Sequence, residues 1–444
     1  MYDKSNIKER GENEVKTYLR VLETVEASGV NAWLVGDPVR DVVMGIQPMT
    51  LSVVVEPCDL KALAASLGDG TIMGPEAFPV LHTSILGAKV EISCMKGNMI
   101  EEDLAKRDFS INAIAIRSDD SFVDPFYGRH DIRNSLIRLS GDDIELVKND
   151  PIRIVRMLRF ASELKMNIFW KSEADVRAFI ARSPEQIKNT PTERWGREVL
   201  VGMGRYPYDF IYLCDRYRLL SLFVNELEEL KEIQLEGGGS LFDHTLDSLR
   251  IAQNFLVTRK RRENDIAFSL AMLFHHAGAE GGHPTDTTKA AEIAARYLRR
   301  WNVNTGTIDI VAAVIKNYHS LFKARTEERL CEWVLKYGYE AVEMTLDFAI
   351  CNSQADKMRN MEALAANRWR LAEVGRRFDE AGRKTNGTRR YLTGDEVMKT
   401  LDIKPGKVVG EILNELGMAV GTGIVNSRRE ATAWILKRGA GSGE

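Results

Sequence analysis

A change of texture at residue 150 constrains this chain more than any other feature. Before it, β-branched runs alternate with short amphipathic stretches; beyond it almost only helical periodicity remains. AWLVG (32–36), LSVVVE (51–56), KVEISC (89–94) and INAIAIR (111–117) read as strands, because branched side chains suit a pleated, half-buried surface. Residues 15–28 space their apolar side chains as a helix does and stop near Gly29, and DLKALAASL (59–67) fits a short helix between strands. From Pro151, a residue suited to a first turn, PIRIVRMLRFASEL opens the helical remainder. The pattern predicts an α+β molecule: an α/β part to roughly residue 135, then helices.

A chain of 444 residues suits two to four domains. Lys plus Arg total 61 against 64 for Asp plus Glu, a formal charge of -3, which excludes a polybasic tail-like binder but leaves room for a local basic groove. Five cysteines, at 58, 94, 214, 331 and 351, form no CxxC pair, so a disulfide framework or zinc ribbon is not expected and a reducing compartment is. The highly charged start carries no secretory signal, and no apolar run reaches the ~18 residues of a membrane span. These features point to a cytoplasmic, multi-domain protein.

Four constellations carry chemistry. LVGDPVRDVVMG (34–45) reads as a strand, a tight turn at Gly36 and a helix whose N-terminus faces anions, with Arg40 on it; the same pattern also fits a plain strand–turn–helix. In EEDLAKRDFSINAIAI (101–116), Lys106 and Arg107 stand beside Asp108, with Asn112 expected on the following strand; the cations suit a triphosphate, or a solvated turn. In NDPIRIVRMLRF (149–160), Asp150 and Arg153 sit within one turn and Arg156 and Arg159 continue along the helix, so acceptors and donors can meet a base edge, or simply pair with each other. His244, the adjacent His275 and His276, and Asp356 are weak metal candidates.

Together and in this order, these segments resemble the bacterial tRNA nucleotidyltransferase/poly(A) polymerase family, the class that includes CCA-adding enzymes. LVGDPVRD resembles its nucleotide loop, DLAKRDFSINAIA its Asp-Leu-x-Arg-Arg-Asp-Phe segment, and NDPIRIVRMLRFA its base-reading element. TERWGREVLVGM (192–203) is similar to a neck helix, the histidines to a degenerate HD-type domain, and YLTGDEVMKTLDIKPGKVVGEIL to the tRNA-holding tail. The resemblance implies a palm-like head (1–137), then helical neck (138–220), body (221–366) and tail (367–444). It also implies transfer of CMP or AMP from CTP or ATP to an RNA 3′ end with Mg²⁺, nucleotide contacts from Gly36, Arg40, Arg107, Asp108, Asn112, Asp150, Arg153, Arg156 and Arg159, and RNA contacts from Arg389, Arg390, Lys404 and Lys407.

One motif departs from the family. The metal-binding Asp-x-Asp falls on Thr50 and Ser52, Asp37-Pro38 interrupts the loop, and Glu91 alone matches an acidic position. Two ions that need carboxylate oxygens are therefore poorly served. The expectation is a protein that binds tRNA or another RNA 3′ end, its nucleotidyl transfer lost or weakened, with a regulatory role or a protein partner open. The alternatives are an active CCA-, A- or poly(A)-adding enzyme whose metal site has moved to Glu91, Asp37 and Glu56, or a scaffold that has left RNA behind. No DNA or membrane partner is expected.

Overall fold

The computed structural model describes every residue except 1–6, 259–264, 281–285, 322, 325, 356–360, 385–389 and 441–444. It divides into two compact units, Met1–Pro191 and Thr192–Glu444.

The first unit is built on a mixed seven-stranded sheet of order β3-β4-β5-β2-β1-β6-β7. Its strands are β1 (Ala32–Val35), β2 (Leu51–Val55), β3 (Thr71–Met73), β4 (Val80–Ile85), β5 (Ala88–Cys94), β6 (Ala115–Ile116) and β7 (Phe122–Val123). β2 and β5 run parallel, and the other neighbours are antiparallel. Helices α1 (Ile7–Glu26), α2 (Asp37–Val43), α3 (Leu60–Leu67), α4 (Ile100–Ala105) and α5 (Gly128–Arg133) connect and cover it. The period of two along a strand sends Val53 and Val55 to one face and Ser52 and Val54 to the other. On the second face Val54 packs with Trp33, Val35, Met95, Ile100, Leu104, Ala113 and Ala115 into a buried cluster. Each large apolar side chain so buried contributes about 1.5–3 kcal/mol. Beyond the sheet come α6 (Glu145–Asn149), α7 (Ile152–Leu164), α8 (Trp170–Arg182) and α9 (Pro184–Lys188), with a two-stranded parallel pair, β8 (Leu136–Ile137) and β9 (Asn167–Ile168).

Sequence and structure differ here. INAIAIR is not one strand: Ser110–Asn112 makes a 3₁₀ turn, and only Ala115–Ile116 joins the sheet. The cause is local hydrogen bonding that competes with the ladder. Asp108 Oδ1 accepts from the Phe109 N–H at 2.9 Å and from Asn112 Nδ2 at 3.3 Å, and Ser110 Oγ donates to Asp131 at 2.6 Å. Asn112 therefore sits on a turn, not on a strand. Strand β4 escaped the sequence reading. It is joined to β5 by the two-residue turn Leu86–Gly87, both at positive φ (52° and 80°), the geometry that matches strand twist in tight hairpins.

The second unit is helical. It runs through α10 (Thr192–Arg205), α11 (Pro207–Arg216), α12 (Leu220–Phe223), α13 (Asn225–Glu229), α14 (Leu241–Thr258), α15 (Asp265–Phe274), α16 (Thr287–Arg300) and α17 (Thr305–Leu321). It continues with α18 (Glu327–Tyr337), α19 (Tyr339–Ala355), α20 (Met361–Lys384), α21 (Gly394–Leu401), α22 (Lys407–Gly421) and α23 (Arg428–Ala440). Every residue of α15 but Ile266 is buried, as its nearly all-apolar sequence requires. A short loop, residues 402–406, joins α21 to α22. Among the described residues, no helix is long and apolar enough to cross a membrane.

Candidate active site

The site grows from the turn after β1. Gly36 adopts φ 76°, ψ -140°, a conformation open to glycine and costly for other residues, and it caps α2. A Cβ on Gly36 would lie 2.8 Å from Arg107 Nη1. The glycine is thus needed both for its backbone and for the approach of a guanidinium. Gly36→Ala should destabilise the first unit by about 1–3 kcal/mol, read as a lower chemical-denaturation midpoint for that transition.

Arg107 is held from its other side. Its Nε and Nη2 donate to Asp103 Oδ2 at 3.2 and 3.0 Å, and Asp103, on α4, is almost fully buried. Asp103 Oδ1 accepts from the Lys96 N–H at 3.0 Å, so one carboxylate joins α4, the end of β5 and the arginine. Asp108 is buried and pairs with Arg156 of α7 at 3.0 Å, while Arg153 Nη2 donates to the Lys106 carbonyl at 3.0 Å. These links bring the Lys-Arg-Asp turn and the start of α7 to one cleft of about 980 Å³, which Gly36, Asp37, Ser52, Lys106, Arg107, Asp108, Asn112, Asp150, Arg153 and Arg156 help to line.

Two expected contacts are absent from the cleft lining. Arg40 is buried beside it, donating to Asp37 (2.9 Å), Asp41 (2.7 Å) and Asn112 (3.1 Å), with its guanidinium 5.2 Å from the Phe160 ring centre. It ties α2 to the 3₁₀ turn. Burial raises the Asp41 carboxyl above its usual range, against the lowering effect of Arg40. Arg159 pairs with Glu163 at 2.8 Å and lies over Phe160 at 4.2 Å.

A row of side chains crosses three strands of the sheet, beginning at Ser52. The parallel register sets Ser52 beside Glu91, and the hairpin sets Glu91 opposite His82. His82 Nδ1 lies 3.6 Å from Glu91 Oε1, and both are partly exposed. Thr50 joins His82 and Glu91 in lining a smaller cavity of about 270 Å³. The sequence reading missed His82 and Asp103. The Leu86–Gly87 turn was the signal for the first, and the four-residue spacing of Asp103 and Arg107 for the second.

Residues 32–138 match the poly A polymerase head domain. The sheet has the fold of such a head domain. The chain is 25% identical over 353 residues to the A-adding tRNA nucleotidyltransferase of Deinococcus radiodurans, covering 76% of this chain and 79% of that one. Its fold is similar to that of the Bacillus stearothermophilus CCA-adding enzyme in complex with CTP (TM-score 0.65, 20% identity, 96% and 98% of the two chains). It is likewise similar to the Thermotoga maritima CCA-adding enzyme complexed with tRNA (TM-score 0.60, 18% identity, 97% of each chain).

The head-like sheet of this chain does not fit a pair of hard divalent ions. Thr50 and Ser52 offer neutral hydroxyl oxygens, and Glu91 is one carboxylate. Asp37 lines the cleft but is engaged by Arg40 at 2.9 Å. Glu56 is remote: it follows the far end of β2 from Ser52 and accepts from Asn31 at 2.9 Å. A relocated cage that includes Glu56 is thereby excluded, and Asp59 caps α3, accepting from the Lys61 N–H at 2.8 Å.

In the helical unit, His244 on α14 meets His275 and His276 just beyond α15, with the three ligand atoms within 4.8 Å of one another. Burial pushes the His275 imidazole down to about 3 and His276 well below its usual range. Asp356 and Arg389 lie outside the described residues. Arg390 is half-buried, and Lys404 and Lys407 are exposed, Lys407 being 3.4 Å from Glu411.

Proposed function

We propose that this chain binds CTP or ATP in the head cleft and acts on RNA 3′ ends, tRNA foremost, as a nucleotidyltransferase whose transfer step is weakened. The observation that carries the reading is the convergence of Lys106, Arg107, Arg153 and Arg156 with Asp150 and Asn112 on one cleft. The cations answer a polyphosphate; Asp150 and Arg153 together answer the acceptors and donors of a base edge. Support comes from the named activity of the Deinococcus relative and from the CTP and tRNA carried by enzymes of similar fold. In this reading the neck spans residues 138–220, the body 221–366 and the tail 367–444. RNA phosphates are met by Arg389, Arg390, Lys404 and Lys407. The protein works in the cytoplasm.

The weakening rests on Thr50 and Ser52, which supply no charge to the Mg²⁺ ions that the chemistry of such heads uses. The test is incorporation of labelled CTP and ATP into tRNA lacking its 3′ end, alongside tRNA binding at several salt concentrations. Slow incorporation is expected, with affinity that falls steeply as salt rises, because each phosphate contact releases a counterion. Absence of salt-dependent tRNA binding would overturn the proposal. The neutral hydroxyls at both positions favour a second reading, in which transfer is lost and binding alone remains, in a regulatory role or beside an active partner. That outcome would appear as normal tRNA binding with no incorporation.

A further inference from the structure

Two thiols meet in the first unit, at a place to which no chemistry has been given. Cys94 ends β5 and pairs in register with Val55, which ends β2. Three residues beyond Val55, Cys58 stands just before Asp59, the cap of α3. The chain brings the two cysteines together there. Cys94 Sγ lies 3.6 Å from the Cys58 carbonyl oxygen, and the two side chains share a hydrogen bond. Both are free thiols and only half-buried, whereas Cys214, Cys331 and Cys351 are buried in the helical unit. Cys94 also lines the large cleft, two residues before Lys96. The Lys96 N–H donates to Asp103, the carboxylate that holds Arg107, and its carbonyl accepts from Lys106. The thiol pair is therefore joined by a short stretch of backbone to the cations of the cleft.

We propose that Cys58 and Cys94 form a modification site, a dithiol that exchanges with small-molecule disulfides, closes to an intramolecular disulfide and so weakens nucleotide binding in the cleft. One thiolate attacks the small disulfide RSSR, releasing RS⁻ and leaving a protein–SR mixed disulfide. The other thiolate attacks the protein sulfur of that bond and displaces the second RS⁻. The protein gives up two protons and two electrons, and RSSR is reduced to two RSH. Sulfurs in hydrogen-bond contact must close to about 2.05 Å. That movement draws the Cys94 sulfur from the cleft wall towards the turn before α3 and pulls on the end of β5, where Lys96 sets Asp103. Burial, and then the Cys94 sulfur beside it, pushes the Cys58 thiol up to about 11. Exchange through Cys58 is accordingly slow near neutral pH, and the state of the pair follows equilibrium with the surrounding thiol pool. In a reducing compartment the pair rests as the dithiol and closes when that pool is oxidised. The effect on nucleotide rests on the reading of the cleft given above; the cross-link does not.

The test equilibrates the full-length protein with mixtures of reduced and oxidised glutathione, traps free thiols by alkylation and maps the peptides by mass spectrometry. CTP affinity is then measured by calorimetry on the reduced and oxidised proteins. The expected product is a Cys58–Cys94 cross-link, reversed by excess reduced glutathione, with Cys214, Cys331 and Cys351 still thiols. Oxidation should weaken CTP by about fivefold or more and raise the denaturation midpoint of the first unit, because the cross-link constrains the unfolded chain. Cys58→Ser should abolish the cross-link and the response to oxidation while keeping the CTP affinity of the reduced wild type. Cys94→Ser should abolish the cross-link too and serves as a second variant. No cross-link at the most oxidising ratio, glutathione adducts that never resolve into it, or a cross-linked protein with unchanged CTP affinity overturns the proposal. If even the reduced protein binds no CTP, the reading of the cleft fails, and the cross-link is judged by peptide mapping and denaturation alone.

Discussion

Replacing Thr50 and Ser52 together by aspartate should raise incorporation of labelled CTP or ATP into tRNA by about 100-fold or more. Stabilisation of transferred-phosphoryl charge by bound metal is worth several kcal/mol, and each ~1.4 kcal/mol is a factor of ten in rate. The backbone is ready for the change. Ser52 pairs in register with Glu91 on the adjacent parallel strand, where strands stand about 4.8 Å apart, and Thr50, just before β2, lines one cavity with Glu91. The double variant would therefore set carboxylates at 50 and 52 beside Glu91. Ser52→Asp alone should gain less, and adding Glu91→Gln to the double variant should remove the gain. A folded double variant that binds CTP but turns over no faster would place the deficit outside these two side chains, with Asp37 the next position to change.

Arg107→Ala should cost the first unit about 2–3 kcal/mol of stability and at least tenfold in CTP affinity. The first effect follows from Asp103. Its carboxylate is almost fully buried and takes two hydrogen bonds from Arg107, so truncating the arginine strands a buried charge. The cost sits below the range for fully buried pairs because Arg107 itself is partly solvated. Asp103→Asn combined with Arg107→Ala should recover much of the stability and none of the CTP affinity. That split, measured by denaturation and calorimetric titration, separates the structural pair from the phosphate-facing cation. Recovery of both in the double variant would deny Arg107 a place in nucleotide binding.

The sequence made the head legible where side-chain chemistry repeats at short range. The alternation in LSVVVE, the positive-φ glycine of LVGD and the arginine steps of NDPIRIVRML each declare a local geometry, and the structure holds β2, the Gly36 turn and α7 where those patterns put them. Legibility failed where polar side chains overrule the backbone, as when Asp108 and Asn112 fold INAIAIR into a turn. It failed also where a residue acquires meaning only through a distant partner. His82 is an ordinary strand residue until the hairpin sets it against Glu91, and Arg40 looks like a phosphate ligand until burial turns it towards Asp37, Asp41 and Asn112. Glu56 failed in the opposite sense, near in sequence but at the wrong end of its strand.

The mixed row of Ser52, Glu91 and His82 also bears on how the head assembles. A head with three carboxylates on neighbouring positions must bring like charges together as the sheet closes, a repulsion that bound cations relieve and that chelation would restore. Here the row holds one carboxylate with an imidazole 3.6 Å away. Closing this sheet brings no second carboxylate into the row, so here no bound cation is needed to relieve like-charge repulsion.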